Sequence, residues 1–183
     1  EHEVEIKIPV DARIPDDWLP ETALRLRLYR AFAGAKSHDE LAQALGIAVD
    51  RYGPAPASVK HLAAIMAVKL DAKALRLTSV SLGKDRLVLG LSGDGKLQPA
   101  IVMAYAARVN GARLTPDGKL HLPVIAKNAG PELVRESLRQ LAEFASSFGR
   151  AAVVSPSAAA PTTGNPPGGP HAPRRRRRRP RRP

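Results

Sequence analysis

The segment LRLTSVSLGKDRLVLGL, residues 75–91, decides the fold class because the spacing of its apolar residues has a period of two. Apolar side chains alternate at Leu75 and Leu77 before the turn at residues 83–85 and at Leu87, Leu89 and Leu91 after it, and Val80 extends the first segment. A glycine-containing turn between two alternating segments predicts an antiparallel hairpin. Strands therefore follow a part of the chain that is patterned for helices.

Three helices are predicted before this hairpin, each with the apolar spacing of an amphipathic helix. The first covers residues 24–35. A capping box that begins at Ser37 starts the second helix, and Gly53 ends it with a proline directly behind. The third helix carries apolar residues over residues 59–70.

Further elements are predicted on both sides of these. A short strand over residues 4–8 opens the chain. After the first hairpin we expect a helix that starts at Pro99, a second hairpin over residues 112–123 and a last helix that ends before Gly149. This order predicts an α+β fold in which helices pack on short antiparallel hairpins, in a single small domain over residues 1–150.

The positive charge of the chain is concentrated at its carboxyl end. Lys and Arg number 29 against 17 Asp and Glu, which gives a net charge of +12, yet residues 151–183 contain no acid. Residues 154–183 also hold eight of the 17 prolines and cannot bury enough apolar surface to offset the entropy of ordering. We therefore expect residues 151–183 to be a disordered Pro-, Ala- and Gly-rich linker with an arginine-rich tail. The tail arginines are Arg174, Arg175, Arg176, Arg177, Arg178, Arg179, Arg181 and Arg182.

The composition excludes several functional classes. Without cysteine, the chain has no disulfide scaffold, thiolate metal site or cysteine nucleophile. It contains no phosphate-binding loop, dinucleotide-binding turn or zinc-protease motif, and its histidines lie far apart, so we expect no catalytic, cofactor or metal site. No apolar run approaches the roughly 20 residues of a transmembrane helix, and no signal-peptide pattern opens the chain. We expect a cytoplasmic piece of a longer protein, without a membrane partner.

Three ordered motifs carry a resemblance to a known family. They are DDWLP at residues 16–20, RLRLYR at residues 25–30 and DRYGPAP at residues 50–56. These resemble the patterns P-D-D-[FWY]-[IL]-P, R-L-x-x-Y-[KR]-R and D-R-[FY]-G-x-[LM]-P of the carboxy-terminal domain of bacterial transcription-repair coupling factor. The similarity extends from about residue 4 to about residue 148, and the later elements are similar in pattern only.

The resemblance implies a regulatory module without catalysis. In that family the domain is the last module of a large DNA translocase that pushes stalled RNA polymerase and recruits nucleotide excision repair. ATP and magnesium belong to motor domains that would lie before residue 1. The terminal domain packs on the amino-terminal UvrA-binding module and masks it until the enzyme engages DNA and polymerase. By resemblance, this chain inhibits, and that module is its partner.

The local physics leaves two roles open for the motif residues. Arg51 near a helix end favours the helix dipole and Gly53 takes a left-handed turn, so this segment is either a structural corner or a partner surface. The arginines of the first helix are likewise either a solvated face or part of a docking surface. The partner-surface candidates are Arg25, Arg27, Asp50, Arg51 and Tyr52.

One position departs from the family pattern. The family usually has a glutamate three residues before the aspartate of the third motif, and this chain has Ile47 there. An acidic contact to a basic masked surface would be absent at that point. A masking contact at this helix is therefore expected to rely on apolar packing more than on charge.

A nucleic-acid-binding module is the alternative function. Each arginine that neutralises a phosphate releases counterions, so the eight tail arginines predict a DNA affinity that falls steeply with salt. The tail can equally be a solubilising or incidental feature of an Ala-, Arg- and Pro-rich composition. Regulation by the folded body and DNA binding by the tail are compatible with each other.

Overall fold

The computed structural model describes residues 3–93, 95, 97–125 and 129–153. Of the segment predicted to be a disordered linker and arginine-rich tail, residues 151–183, the first three residues belong to the last helix, and residues 154–183 lie outside the described residues. Within them, five strands and five helices follow one another: β1 (Glu5–Lys7), α1 (Thr22–Gly34), α2 (His38–Tyr52), α3 (Ala57–Ala74), β2 (Leu77–Leu82), β3 (Arg86–Leu91), α4 (Pro99–Arg108), β4 (Arg113–Leu114), β5 (Lys119–Pro123) and α5 (Pro131–Val153). The predicted α+β class is confirmed.

The strands form one five-stranded sheet in the order β1-β2-β3-β5-β4. Both predicted hairpins are present, since β2 pairs antiparallel with β3 and β4 pairs antiparallel with β5. The opening strand β1 pairs parallel with β2 at the sheet edge, so the sheet is mixed and contains more than antiparallel hairpins. A parallel pair needs a long crossover, and α1, α2 and α3 provide it. Pro9, which lacks an amide hydrogen, closes this edge strand.

The strand register gives the sheet one apolar and one polar face. A row of apolar residues crosses all five strands at Ile6, Val80, Leu89, Leu120 and Leu114. The neighbouring row on the other face reads Lys7, Ser81, Val88, His121 and Arg113. The apolar face forms one core together with buried residues of α3, α4 and α5.

A second core lies between α1, α2, the first half of α3 and the segment that precedes α1. Phe32 of α1 and Leu19 before it are almost completely buried there. Helix α3 belongs to both cores: Val59 and its neighbours pack in the helical core, whereas Val68 and Ala72 pack in the sheet core. The two halves of the domain therefore share one helix.

The last helix differs from the prediction in its end. It continues through Gly149 to Val153, because a glycine inside a helix costs only about 1 kcal/mol relative to alanine. Phe148, near that end, is 37% exposed, whereas Val134 in the first turn is fully buried. The core contact of this helix therefore lies in its first half.

The turn of the second hairpin contains a carboxyl group with a shifted pKa. Hydrogen bonds to Lys119 and Thr115 lower the pKa of Asp117 from its ordinary value of 3.8 to about 2, and Lys119 Nζ lies 2.7 Å from Asp117 Oδ2. Since folding favours the ionised form, the carboxylate adds stability above pH 3.8, and this stability is lost as the pH falls through about 2.

An Asp117→Asn variant is therefore expected to melt at a lower temperature than the unchanged chain at pH 7. The difference should shrink as the pH falls from 3.8 towards 2, because the carboxyl group is protonated first in the unfolded chain and then in the folded chain. Thermal unfolding between pH 7 and pH 2 measures this. Asp85→Asn is the matched control in the other hairpin turn, where the nearest cation, Arg86, is 4.0 Å away. A constant difference at all pH values would contradict the prediction.

Candidate partner-binding surface

The segment before α1 is held by an arginine of that helix. Arg25 Nη1 donates hydrogen bonds to the carbonyl oxygens of Leu19 at 2.8 Å and Pro20 at 2.6 Å. Its Nη2 donates to Thr22 Oγ1 at 3.0 Å. One guanidinium thus donates hydrogen bonds to three acceptors at the start of α1. All three bonds are made within the domain.

Two further bonds hold the same segment closer to its start. The Tyr29 hydroxyl, one helical turn beyond Arg25, accepts a hydrogen bond from the Ile14 amide at 2.8 Å. His61 Nδ1 of α3 lies 3.0 Å from the carbonyl oxygen of Asp11 and donates to it. The segment is therefore attached to both α1 and α3, although it contains no helix or strand of its own.

The first and third motifs meet through their aromatic residues. The Trp18 ring contacts the Tyr52 ring edge-on, with 5.9 Å between the centroids and an interplanar angle of 74°. Tyr52 ends α2, and Gly53 follows with φ of 86° and ψ of −174°, a backbone conformation essentially restricted to glycine, and its amide donates to the Val49 carbonyl. The three sequence motifs therefore form one contiguous part of the structure, which we call the motif corner (residues 16–20, 25–30 and 50–56).

The five partner-surface candidates fall into two groups within this corner. Arg25 and Tyr52 are half-buried and contact other residues of the domain. Arg27, Asp50 and Arg51 are exposed, and their side chains make no hydrogen bond or ion pair with another described residue. The corner is therefore bonded to the rest of the domain at its base and exposed to solvent at its surface. The eight nucleic-acid candidates, from Arg174 to Arg182, lie outside the described residues.

Ile47 lies on the exposed side of α2, in the turn before Asp50. Half of its side chain is exposed to solvent, and Gly46 beside it is exposed as well. A large apolar residue at this position adds nothing to either core, since the buried residues of α2 are Leu41 and Ala48. The position at which the family pattern has glutamate therefore presents an apolar side chain to solvent.

Sequence reasoning missed a charged cluster between α2, α3 and α5. Asp71 Oδ1 lies 2.7 Å from His38 Nε2, and its Oδ2 lies 3.4 Å from Arg135 Nε. The three residues are 33 and 64 positions apart, so no local pattern could have revealed the cluster. They line a groove of about 750 Å³ along α5. Glu136 and Arg139 line the same groove, and hydrogen bonds from Arg139, and to a smaller extent from Gln140, lower the pKa of the Glu136 carboxyl.

Neither a metal cluster nor a membrane-spanning helix is found in the part of the chain that the structure describes. No group of three or more His, Cys, Asp or Glu side chains is arranged there to hold a metal ion. The described helices are all too short or too polar to cross a membrane.

Comparison with known proteins identifies similar chains. Residues 8–102 match the TRCF domain family. The chain is 35% identical over 143 residues to the transcription-repair-coupling factor of Myxococcus xanthus. The aligned region covers 78% of this chain and 12% of that protein. It is 26% identical over 147 residues to the transcription-repair-coupling factor of Escherichia coli strain K12. This aligned region also covers 78% of this chain and 12% of that protein.

The fold is also similar to a solved structure. A crystal structure of the C-terminal domain of transcription-repair coupling factor superposes with a TM-score of 0.65 at 16% identity, over 79% of this chain and 95% of that one. At this identity the likeness establishes the fold. The chain spans about an eighth of the length of the Myxococcus and Escherichia proteins.

Proposed function

Because this chain belongs to the transcription-repair coupling factor family through its TRCF domain, we propose that it is a non-catalytic regulatory module of such a protein. The parent is then a cytoplasmic, ATP-dependent DNA translocase that displaces stalled RNA polymerase and recruits nucleotide excision repair. The module inhibits by packing on the amino-terminal UvrA-binding module and masking it. ATP and magnesium act in the motor domains of the parent.

The observation that supports this proposal is the motif corner. Its base is fixed by bonds and packing inside the domain, whereas Arg27, Asp50 and Arg51 are exposed and unpaired within the described residues. A rigid base that carries free charged groups suits a preformed docking surface, because little conformational freedom is lost when a partner binds.

Ile47 determines the chemistry of the contact that we propose. An exposed isoleucine beside Asp50 can bury apolar surface against a partner, and a few buried apolar anchors carry most of the energy of a typical interface. The usual glutamate would have contributed a salt-sensitive ion pair at this position. The masking contact of this chain is therefore mainly apolar.

Mixing the chain without residues 154–183 with the amino-terminal UvrA-binding module of the same organism tests the proposal. We expect binding whose affinity changes little between low and high salt, because apolar contacts are screened much less than exposed ion pairs. Calorimetric titration at two salt concentrations measures both properties. Affinity that collapses at high salt would instead assign the contact to charges, with the exposed Arg27 and Arg51 as the first residues to mutate.

Ile47→Asp is the variant that distinguishes a specific contact at Ile47 from nonspecific hydrophobic association. If Ile47 is an anchor, the affinity should fall by about 30-fold, which corresponds to a loss of about 2 kcal/mol. Ile125→Asp is the matched control, since Ile125 is 95% exposed and follows β5, a strand of the sheet core, whereas α2 packs in the helical core. Equal effects of the two variants, or no binding by the unchanged chain, would contradict the proposal.

Nucleic-acid binding by the tail is the second candidate function. It is supported by one observation on the sequence, namely eight arginines within residues 174–182 and no acid in residues 151–183. Such a segment attracts phosphates without reading their sequence. Its partner is DNA, and the folded body is not needed for the contact.

A further inference from the structure

We propose that Arg25 and Tyr29 form a two-point latch that positions the motif corner for its partner, without touching the partner themselves. The inference rests on the proposed function, because binding at the corner is one of its two readouts. It assigns Arg25, a partner-surface candidate by sequence, to a positioning role instead.

The two latch residues form hydrogen bonds to opposite ends of the segment over residues 14–20. They lie four positions apart on α1 and therefore on one face of the helix. Tyr29 accepts from the Ile14 amide at 2.8 Å, and Arg25 donates to the Leu19 and Pro20 carbonyls at 2.8 and 2.6 Å. The residues between these points have their ends fixed on α1, and Trp18 is one of them.

Trp18 depends on this latch because its indole has no hydrogen bond of its own. The Trp18 Nε1 atom is buried and has no acceptor in the described part of the chain. Its position is therefore set by packing and by the backbone that carries it. That backbone is held one and two residues further on, at the Leu19 and Pro20 carbonyls, by the Arg25 guanidinium.

The position of Trp18 is transmitted to the exposed residues through Tyr52. The two rings are in edge-on contact at 5.9 Å, and Tyr52 occupies the last turn of α2 directly after Asp50 and Arg51. If Trp18 moves, this turn loses the packing that fixes it. A partner must then order the turn on binding, which lowers the affinity.

Arg25→Lys and Tyr29→Phe in the full chain test the latch. Lysine keeps the charge but lacks the planar fork that reaches two carbonyls and a hydroxyl, and phenylalanine removes only the acceptor oxygen. Both variants should change the emission spectrum of Trp18, the single tryptophan. Both should also weaken binding to the amino-terminal UvrA-binding module by about tenfold. The control, Arg27→Lys, alters an exposed arginine of the same helix and should leave the Trp18 emission unchanged.

The outcomes separate positioning from direct contact. The Tyr29 hydroxyl is bonded to backbone inside the domain, so weaker binding by Tyr29→Phe together with altered Trp18 emission supports positioning. Unchanged emission and affinity in both latch variants would overturn the inference, as would weaker binding by Arg25→Lys with unaltered emission. If the unchanged chain does not bind the module, the proposed function is wrong, and the Trp18 emission alone then decides whether the latch exists.

Discussion

Replacing Phe32 with alanine is expected to lower the free energy of unfolding by about 3–5 kcal/mol, the usual cost of removing a large buried aromatic side chain. Phe32 is 1% exposed and lies in the helical core between α1, α2 and α3. Since a domain of this size is stable by only about 5–15 kcal/mol, the variant would retain only part of its stability at room temperature.

The loss should extend to the whole domain. Helix α3 packs in both cores, so the helical half cannot unfold without exposing one wall of the sheet core. Urea unfolding followed by Trp18 fluorescence reports on the helical half, and far-UV circular dichroism reports on the whole domain. We expect the two probes to give the same midpoint, as in a two-state transition.

Phe148→Ala is the matched control for this prediction. The Phe148 side chain is 37% exposed, and its ring centroid lies 5.9 Å from that of Phe144 near the end of α5. Its removal should therefore lower the free energy of unfolding by less than about 1 kcal/mol. A similar cost for the two variants would show that Phe32 is not at the centre of a core. Separate midpoints for the two probes would show that the two halves unfold independently.

Removing the tail arginines is expected to have the largest effect on DNA binding. If six to eight of them contact phosphates, the affinity of the full chain should fall by about 10³–10⁴ between 50 and 200 mM salt. Replacing Arg174–Arg179, Arg181 and Arg182 with glutamine should remove most of this dependence and reduce the affinity at low salt. Fluorescence anisotropy with a labelled DNA duplex at several salt concentrations measures the slope.

A charge-preserving variant is the control for the tail. Replacing the same eight residues with lysine keeps every positive charge, so binding and its salt slope should stay close to those of the unchanged chain. If the glutamine variant binds DNA as tightly as the unchanged chain, the basic site lies in the folded body. If the lysine variant loses binding, the tail recognises more than charge, since arginine alone offers a planar fork.

Local signals predicted most of the elements. The Ser37 hydroxyl accepts from the Glu40 amide at 3.2 Å, as the capping box requires, whereas the Glu40 carboxylate accepts from the Lys36 amide at 2.7 Å, one residue before the amide that a capping box uses. Gly53 ends α2 with the left-handed φ expected of a glycine followed by proline. Each signal acts between residues within four positions of one another, so it can be recognised without the rest of the fold.

The motifs were recognisable, but their roles were not. The sequence left Arg25 and Tyr52 open as structural or partner residues, and the structure places both of them in contacts inside the domain. Trp18 and Tyr52 are 34 positions apart, and neither side chain indicates by its type that the other is its neighbour. Only packing of the segment before α1 against α1 and α2 brings them together.

For this chain, the sequence by itself determined the family, the α+β class and the turns, because motifs and apolar periods are local. The tertiary structure decided that β1 pairs parallel with β2, that α3 serves two cores, and that Asp71 joins α2 to α5. These are contacts between residues tens of positions apart. Their formation depends on burying the apolar faces of all the elements together, and the spacing within any one element carries no information about its partner.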